Sequence, residues 1–192
     1  MATVLELEAP PARARAWLFA LAVGLPGLGL LVAFAWHGGP RLWWPGTGIH
    51  LVDQAIAIAV PLLVLLAVWS ALALAFKRHR IEAADGVVTV VAGWHRARLN
   101  VAELRLDQAR VGALDEHPEW KPWLKSNGMA VPGFRAGWFR TRGFQRVFAC
   151  ITDGERVLWL PTARKHALLL QAARPQELLA RLRALAPPAA HG

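Results

Sequence analysis

Two long runs of uncharged, largely apolar residues constrain this chain of 192 residues more than any other feature. The first run covers residues 16–36, which are 21 positions without a charged side chain, and the second covers residues 54–76, which are 23. As a helix with a rise of ~1.5 Å per residue, the first run is about 31 Å long, which matches the ~30 Å hydrocarbon core of a bilayer. We therefore predict two transmembrane helices with these bounds.

The ends of the first run fit a membrane helix better than a cleaved signal peptide. Trp17 and Trp36 stand at its two ends, where aromatic rings favour the membrane interface. Arg13 and Arg15 precede the run, and residues 33–35 have the small-x-small pattern of a cleavage site. The run is nevertheless longer than the ~7–15 apolar residues of a signal peptide, so we expect it to be retained.

Charge divides the chain into two parts. Residues 1–76 contain three basic and three acidic side chains, whereas residues 77–192 contain nineteen Lys and Arg against ten Asp and Glu. The net charge of +9 therefore belongs to the second part. A basic domain of this kind faces nucleic acid or an anionic membrane surface, and the apolar first part favours the membrane.

Basic residues flank the two apolar runs unevenly, and this predicts the orientation of the chain. Two arginines precede the first run, only Arg41 lies between the runs, and three basic residues follow the second, namely Lys77, Arg78 and Arg80. Because basic loops stay on the cytoplasmic side, both termini should be cytoplasmic. We predict a multi-pass protein of the cell inner membrane, with a cytoplasmic N-terminal segment at residues 1–15 and a short periplasmic loop at residues 37–53.

After residue 80 the sequence pattern changes to short strands separated by turns. Asp153-Gly154 predicts a hairpin turn between two strands. Residues 175–186 have the period of an amphipathic helix that begins at Pro175, and residues 187–192 should form a disordered tail. The expected strands are seven: residues 87–91, 95–99, 101–111, 138–140, 146–152, 157–160 and 166–171. The pattern predicts a small all-β barrel or sandwich capped by the last helix.

One segment of the second part resembles a known family. Asn127-Gly128, the run Val131-Pro132-Gly133-Phe134 and the run Ala136-Gly137-Trp138-Phe139 resemble the bacterial pleckstrin-homology-like (PH-like) domain family, and the resemblance extends over roughly residues 80–186. It implies a seven-stranded, strongly bent β-barrel closed by a C-terminal helix. It also implies structural roles for four motif residues, Gly128, Pro132, Gly133 and Gly137. We therefore expect a membrane-anchored α+β protein in which residues 77–186 form a cytoplasmic PH-like domain.

The family resemblance implies a role but no single activity. Members often follow one or two membrane helices, and they are thought to mediate protein contacts or assembly at the membrane. Eukaryotic relatives that bind phosphoinositides use a basic cluster in the first strand loop. Here the corresponding residues 84–86 are not basic, so phosphoinositide binding does not carry over.

Catalytic patterns are not found in the sequence. A single cysteine excludes an internal disulfide, and Cys150 lies in an apolar strand as a core thiol would. The seven histidines are scattered and form no metal-ligand spacing, and no phosphate-binding glycine loop is present. We therefore predict no catalytic residue, no metal site and no cofactor, and an enzyme is the least favoured reading.

Basic and aromatic residues alternate over residues 119–142, and three interpretations compete. The aromatic side chains could be core packing, they could face lipid or a protein partner, or they could bind nucleic acid, which we disfavour. The candidate lipid- or partner-facing residues are Lys77, Arg78, Arg80, Trp120, Lys121, Trp123, Lys125 and Arg135.

These observations favour one function over its alternatives. We predict a non-catalytic inner-membrane protein that presents a PH-like domain for protein–protein interaction or assembly. Its expected partners are membrane lipids and a protein, with self-association through the transmembrane helices, and no small-molecule substrate is evident. The alternative is a protein that senses or handles anionic lipid.

Overall fold

The computed structural model describes residues 3–37, 47–84 and 86–186. The chain divides into two compact units. The helical unit comprises Arg15–Leu74, and the sheet unit comprises Met1–Ala14 together with Ala75–Gly192. The predicted tail at residues 187–192 and most of the predicted periplasmic loop lie outside the described residues.

Two long apolar helices are present, as the sequence predicts. Helix α1 (Ala12–Phe19) continues through a π-helical segment (Ala20–Gly24) into α2 (Leu25–His37), and α3 covers His50–Phe76. Both helices are long and apolar enough to cross a membrane, and only 6% of the first apolar stretch and none of the second is buried within the chain. The helices therefore present their apolar side chains outward.

The π-helical segment has an identifiable cause. The backbone N–H of Leu25 donates to the carbonyl of Ala20, five residues earlier, and the next residue, Pro26, has no N–H to donate. The widened turn thus ends where proline interrupts the ordinary helical ladder. Within the helical unit, the Phe19 ring lies edge-on to Trp69 with a centroid distance of 5.1 Å, so an aromatic contact joins the two helices.

The sheet unit contains two sheets. The first is antiparallel with the order β1-β2-β3-β4, and the second has the order β5-β9-β10-β8-β7-β6, in which only β8 and β10 are parallel. The strands are β1 (Thr3–Glu6), β2 (His79–Ala84), β3 (Val87–Ala92), β4 (His95–Asn100), β5 (Arg110–Gly112), β6 (Pro122–Val131), β7 (Phe134–Thr141), β8 (Arg146–Ile151), β9 (Val157–Pro161) and β10 (His166–Leu170). Helix α4 covers Pro175–Leu185.

The predicted seven-stranded closed barrel differs from this arrangement. The described residues form ten strands, and neither sheet closes into a barrel. One extra strand comes from the N-terminal segment, because β1 pairs with β2. The predicted strand at 101–111 is instead interrupted by a 3₁₀ turn at Val101–Glu103, and only β5 remains extended.

The predicted hairpin at Asp153-Gly154 is also wrong. The chain does turn there, but β10 lies between β8 and β9, so the two strands that flank the turn do not pair. The side chain of Gln171 holds the turn, because its Oε1 accepts the backbone N–H groups of Thr152 and Gly154 at 3.0 Å each. The dipeptide therefore predicts the position of the turn correctly. The turn is held by Gln171, which follows β10, and not by pairing of β8 with β9.

The core lies in the middle strands of the larger sheet. Val147, Leu158 and Leu168 have no exposed surface, and every residue of β9 except Pro161 is buried. Both faces of β9 are therefore covered, as in the central strand of a sheet that is packed on both sides. Helix α4 forms as predicted, packs against β9 and buries Leu178, Leu179 and Leu182.

The four motif residues of the family resemblance lie in one hairpin, β6–β7. Pro132 and Gly133 form its two-residue loop, and Gly133 has φ of +81°, which glycine adopts without strain. Gly128 and Gly137 face each other across the two strands. The backbones approach so closely there that a Cβ on Gly137 would lie 2.6 Å from the Gly128 Cα.

Candidate functional site

The basic residues that follow α3 are exposed. Lys77 and Arg78 have no ion-pair partner within the described part of the chain, whereas Arg80 pairs with Glu82 on the same strand. Two cations without an ion-pair partner therefore follow the second apolar helix directly, where the sequence predicts a basic cluster of three.

Trp120 is not a surface residue. It is 5% exposed and lies between His117, whose ring centroid is 3.8 Å away, and Trp159, at 5.5 Å. Both contacts are near-parallel stacks, and Trp120 belongs to the buried cluster on one face of the larger sheet. The structure thus removes Trp120 from the predicted lipid- or partner-facing set, because the 3₁₀ turn at Pro118–Trp120 directs its ring into the core.

Trp123, by contrast, is exposed over 63% of its surface. It is the extra residue of a β-bulge, because Pro122 pairs with Thr141 and Leu124 with Arg140, which leaves Trp123 without a partner on β7. A second bulge follows between Lys125 and Asn127. The bulges explain why a run of exposed residues occurs on a strand whose ends are buried.

Phe144 joins Trp123 to form an exposed aromatic pair that the sequence pattern does not indicate. Phe144 is 62% exposed and its ring lies edge-on to Trp123 at a centroid distance of 6.5 Å. Its φ is +59°, a left-handed conformation that is unfavourable for a bulky residue. Its carbonyl accepts a hydrogen bond from Arg140 at 3.4 Å. The only available signal was an aromatic residue after Gly143 in a strand connection.

We name this surface the Trp123 patch, and it lies at one edge of the larger sheet. Among the described strands, β6 pairs with β7 alone, so β6 is an edge of the larger sheet. The members are Trp123, Leu124, Lys125, Arg140 and Phe144, all of which are exposed. The patch combines large apolar side chains with two cations, and it contains two of the eight predicted site residues.

Two other predicted residues, Lys121 and Arg135, line a separate groove. Its volume is about 510 Å³, Arg13 contributes a third cation, and Asp153 contributes a carboxylate. Lys121 is paired with Asp115 at 2.7 Å, and Arg135 donates to the carbonyl of Pro122 at 3.3 Å. The structure thus brings Lys121 and Arg135 together with an arginine from the N-terminal segment and separates them from Lys125.

Cys150 is a buried core thiol, as predicted. Desolvation raises the pKa of its thiol to about 12, so the group is protonated at neutral pH and is a poor nucleophile. Among the described residues, no group of three or more His, Cys, Asp and Glu side chains is placed to hold a metal ion.

A small apolar recess of about 20 Å³ is lined by one titratable side chain that has no hydrogen-bond partner among the described residues. The Nε2 atom of His79 is buried and unpaired among the described residues, and the ring lies edge-on to Phe134 at 5.0 Å. Desolvation lowers the pKa of His79 to about 4. The imidazole is therefore neutral in the folded protein at neutral pH and acts as an apolar packing group.

This burial predicts a loss of stability in mild acid. The unfolded chain binds a proton at His79 near pH 6.5, whereas the folded chain binds it near pH 4, so stability is full above pH 6.5 and falls as the pH decreases towards 4. His79→Gln should make this part of the profile shallower. Denaturant unfolding of the full chain in detergent at pH 7, 5.5 and 4.5 measures the effect, and equal slopes for both proteins would contradict it.

Comparisons of the chain with protein-family models, curated proteins and solved structures gave no match. The candidate sites therefore rest on their own geometry and charge.

Proposed function

We propose that this chain is a non-catalytic protein of the inner membrane whose sheet unit is a PH-like module that docks a protein partner. The observation that carries the proposal is the Trp123 patch, in which Phe144 is held in an unfavourable backbone conformation while its ring stays exposed beside Trp123. Residues in strained backbone conformations cluster at ligand-binding and other functional sites. Exposed aromatic and arginine side chains are also those that carry most of the binding energy at protein interfaces.

The membrane part of the proposal is supported by the helical unit. Helices that stay unburied over an apolar length of about 25 residues require an apolar surrounding, which a bilayer supplies. Ser70, the hydroxyl residue of α3, donates to the Leu66 carbonyl at 2.8 Å, so its polar group is satisfied within the helix as lipid requires.

The orientation is tested by reporter fusions. The basic residues on both outer flanks predict that a reporter fused after Gly192 lies in the cytoplasm and that one inserted at Gly46 lies in the periplasm. Alkaline phosphatase and a fluorescent protein, each at both positions, measure this directly. Phosphatase activity from the Gly192 fusion would contradict the orientation and, with it, docking of a cytoplasmic partner.

The chemistry of the patch specifies the partner. Arg140 donates to the Phe144 carbonyl, Lys125 lies two residues after Trp123 on β6, and neither cation has an ion pair within the described residues. A complementary surface therefore carries apolar side chains with nearby carboxylates. The two bulges interrupt the strand edge, so we expect docking through side chains rather than addition of a strand.

Site-specific cross-linking in cells tests the docking. A photo-reactive phenylalanine at Trp123 should give a discrete protein adduct, and the adduct should be lost when Arg140→Glu and Phe144→Ala are combined with it. Trp94 is the matched control position, because it is 58% exposed and lies in the turn between β3 and β4. Equal adducts from both positions, or adducts that persist in the double variant, would contradict the proposal.

Binding of anionic lipid is the second candidate, and the groove of Arg13, Lys121 and Arg135 favours it. Native mass spectrometry of the full chain released from nanodiscs should retain phosphatidylglycerol in preference to phosphatidylcholine, and Lys121→Glu with Arg135→Glu should remove the preference. The full chain is required, because a fragment that starts at residue 80 would lack β1 and its pairing with β2. Equal retention of both lipids by the unsubstituted chain would exclude this candidate.

A further inference from the structure

A second basic groove lies in the sheet unit, and it begins next to the Trp123 patch, because Arg146 of the groove pairs with Arg140 of the patch across β7 and β8. Its volume is about 340 Å³, which is at the lower end of the range of small-molecule sites. One wall is β4, the edge strand of the smaller sheet, and the other is formed by β7, β8 and the start of β10. Its polar and aromatic lining consists of Arg96, Arg98, Trp138, Arg146, Arg164 and His166.

The charges in this groove are not balanced. Arg164 donates from both Nε and Nη2 to Glu103, at 2.9 and 2.7 Å. The remaining arginines, Arg96, Arg98 and Arg146, have no ion-pair partner among the described residues. Four guanidinium groups thus share one carboxylate, which leaves three positive charges that converge on one groove.

The position of Arg146 is fixed before any ligand binds. Its guanidinium carbon lies 4.3 Å above the centroid of the Trp138 ring, a favourable cation–π contact. His166 lies edge-on to the same ring at 5.3 Å and pairs with Arg146 across β8 and β10. The next residues of these strands, Val147 and Ala167, are fully buried, so the core holds the backbone of both groups.

Convergence of like charges has a free-energy cost that an anion would remove. Burial, followed by repulsion from Arg146 and Arg164, lowers the pKa of His166, even though its Nδ1 lies 3.3 Å from the Arg164 carbonyl. The imidazole is therefore neutral at pH 7 and adds a hydrogen-bonding group without further repulsion. Surface arginines that served only solubility would be interspersed with carboxylates, as in the Arg174–Glu177–Arg181 set on α4.

We propose that this groove binds an anion that carries two or more phosphoryl groups. Planar guanidinium groups match phosphate oxygens in a two-point geometry, and three uncompensated arginines exceed what a single carboxylate ligand would need. The phosphoryl groups could belong to a soluble oligophosphate or to a lipid headgroup, and the chemistry of recognition is the same for both. The inference goes beyond the proposed docking function, because none of the Trp123 patch residues lines this groove.

Calorimetric titration of the full chain in a neutral detergent tests the proposal. The probes are orthophosphate, pyrophosphate and tripolyphosphate at constant ionic strength, and affinity should rise in that order with one site per chain. Arg96→Gln and Arg146→Gln should each weaken tripolyphosphate binding about tenfold or more, because each removes one or two charge-assisted hydrogen bonds. Arg98→Gln, on the exposed face of β4, provides a third variant with little risk to folding.

Arg156→Gln is the matched control, because it removes the same charge at an exposed position near Glu155, outside the groove. The affinity of this variant for tripolyphosphate should stay within twofold of the affinity of the unsubstituted chain. A second arm repeats the titration in nanodiscs with and without phosphatidylinositol bisphosphate. Competition by that lipid assigns the site to a headgroup, and unchanged binding assigns it to a soluble ligand. No binding of tripolyphosphate at low salt, or equal losses in Arg156→Gln and the groove variants, would overturn the proposal.

Discussion

Leu182→Ala should lower the free energy of unfolding of the sheet unit by about 2–5 kcal/mol. Leu182 is 1% exposed in the middle of α4, which packs against β9, so the substitution removes buried methyl groups and leaves a cavity. Leu179, at 8% exposed, should show a loss of the same kind. Denaturant unfolding of the full chain in detergent, followed by tryptophan fluorescence, measures the change.

A matched control lies on the same helix. Leu185 is 41% exposed, so Leu185→Ala makes the same chemical change with much less lost burial and should cost about 1 kcal/mol or less. Losses below about 1 kcal/mol at both Leu179 and Leu182 would mean that α4 is peripheral to the core. Equal losses at Leu182 and Leu185 would mean that the effect comes from helix propensity and not from burial.

Those parts of the fold that depend on local pattern could be predicted from the sequence. The two apolar helices follow from uninterrupted runs of uncharged residues, and α4 follows from leucines at helical spacing after Pro175. In each case the spacing of apolar residues within one helix reflects which of its faces are buried or exposed. Neighbours in the chain therefore carry all the information that the prediction needs.

The strand order could not be predicted, because it depends on residues far apart in the chain. β1 pairs with β2 although the residues of the helical unit separate the two strands in the chain. The Gln171 side chain likewise donates to Glu8, at 2.7 Å. The apolar stretches of β8, β9 and β10 are equally buried, so their pattern gives no indication of which strand lies between the other two. A turn signal at Asp153-Gly154 indicates where the chain turns but not what it pairs with.

The residues of the candidate sites also differ in whether the local sequence predicts them. Trp123 and Lys125 belong to a segment whose mixed character is visible in the sequence, although the burial of Trp120 three residues earlier is not. Phe144 enters the patch only through the turn that connects β7 and β8. The second basic groove has no local signature in the sequence. Its arginines come from β4, β8 and the β9–β10 connection, and each of them resembles an ordinary solvated cation.

Gly137→Ala should destabilise the β6–β7 hairpin by about 3 kcal/mol or more. Gly137 has φ of +113°, and a Cβ there would lie 2.6 Å from the Gly128 Cα and 2.7 Å from the Asn127 carbonyl oxygen. Backbone strain of about 1–3 kcal/mol and overpacking of about 1–3 kcal/mol therefore act together. Both contacts are with backbone atoms of the paired strand, so relief requires the two strands to separate.

Three further variants distinguish strain from contact. Gly128→Ala brings a Cβ to 2.5 Å from the Ala136 carbonyl without a positive φ, so it should be destabilising through contact alone. Gly143→Ala is the matched control, because its nearest neighbour would be 3.9 Å away, and it should be neutral or stabilise by up to about 1 kcal/mol. The double variant Gly128→Ala, Gly137→Ala should lose less than the sum of the single losses, because strand separation relieves both contacts at once. If Gly137→Ala unfolds at the same denaturant concentration as Gly143→Ala, the close approach of β6 and β7 is not required for the fold.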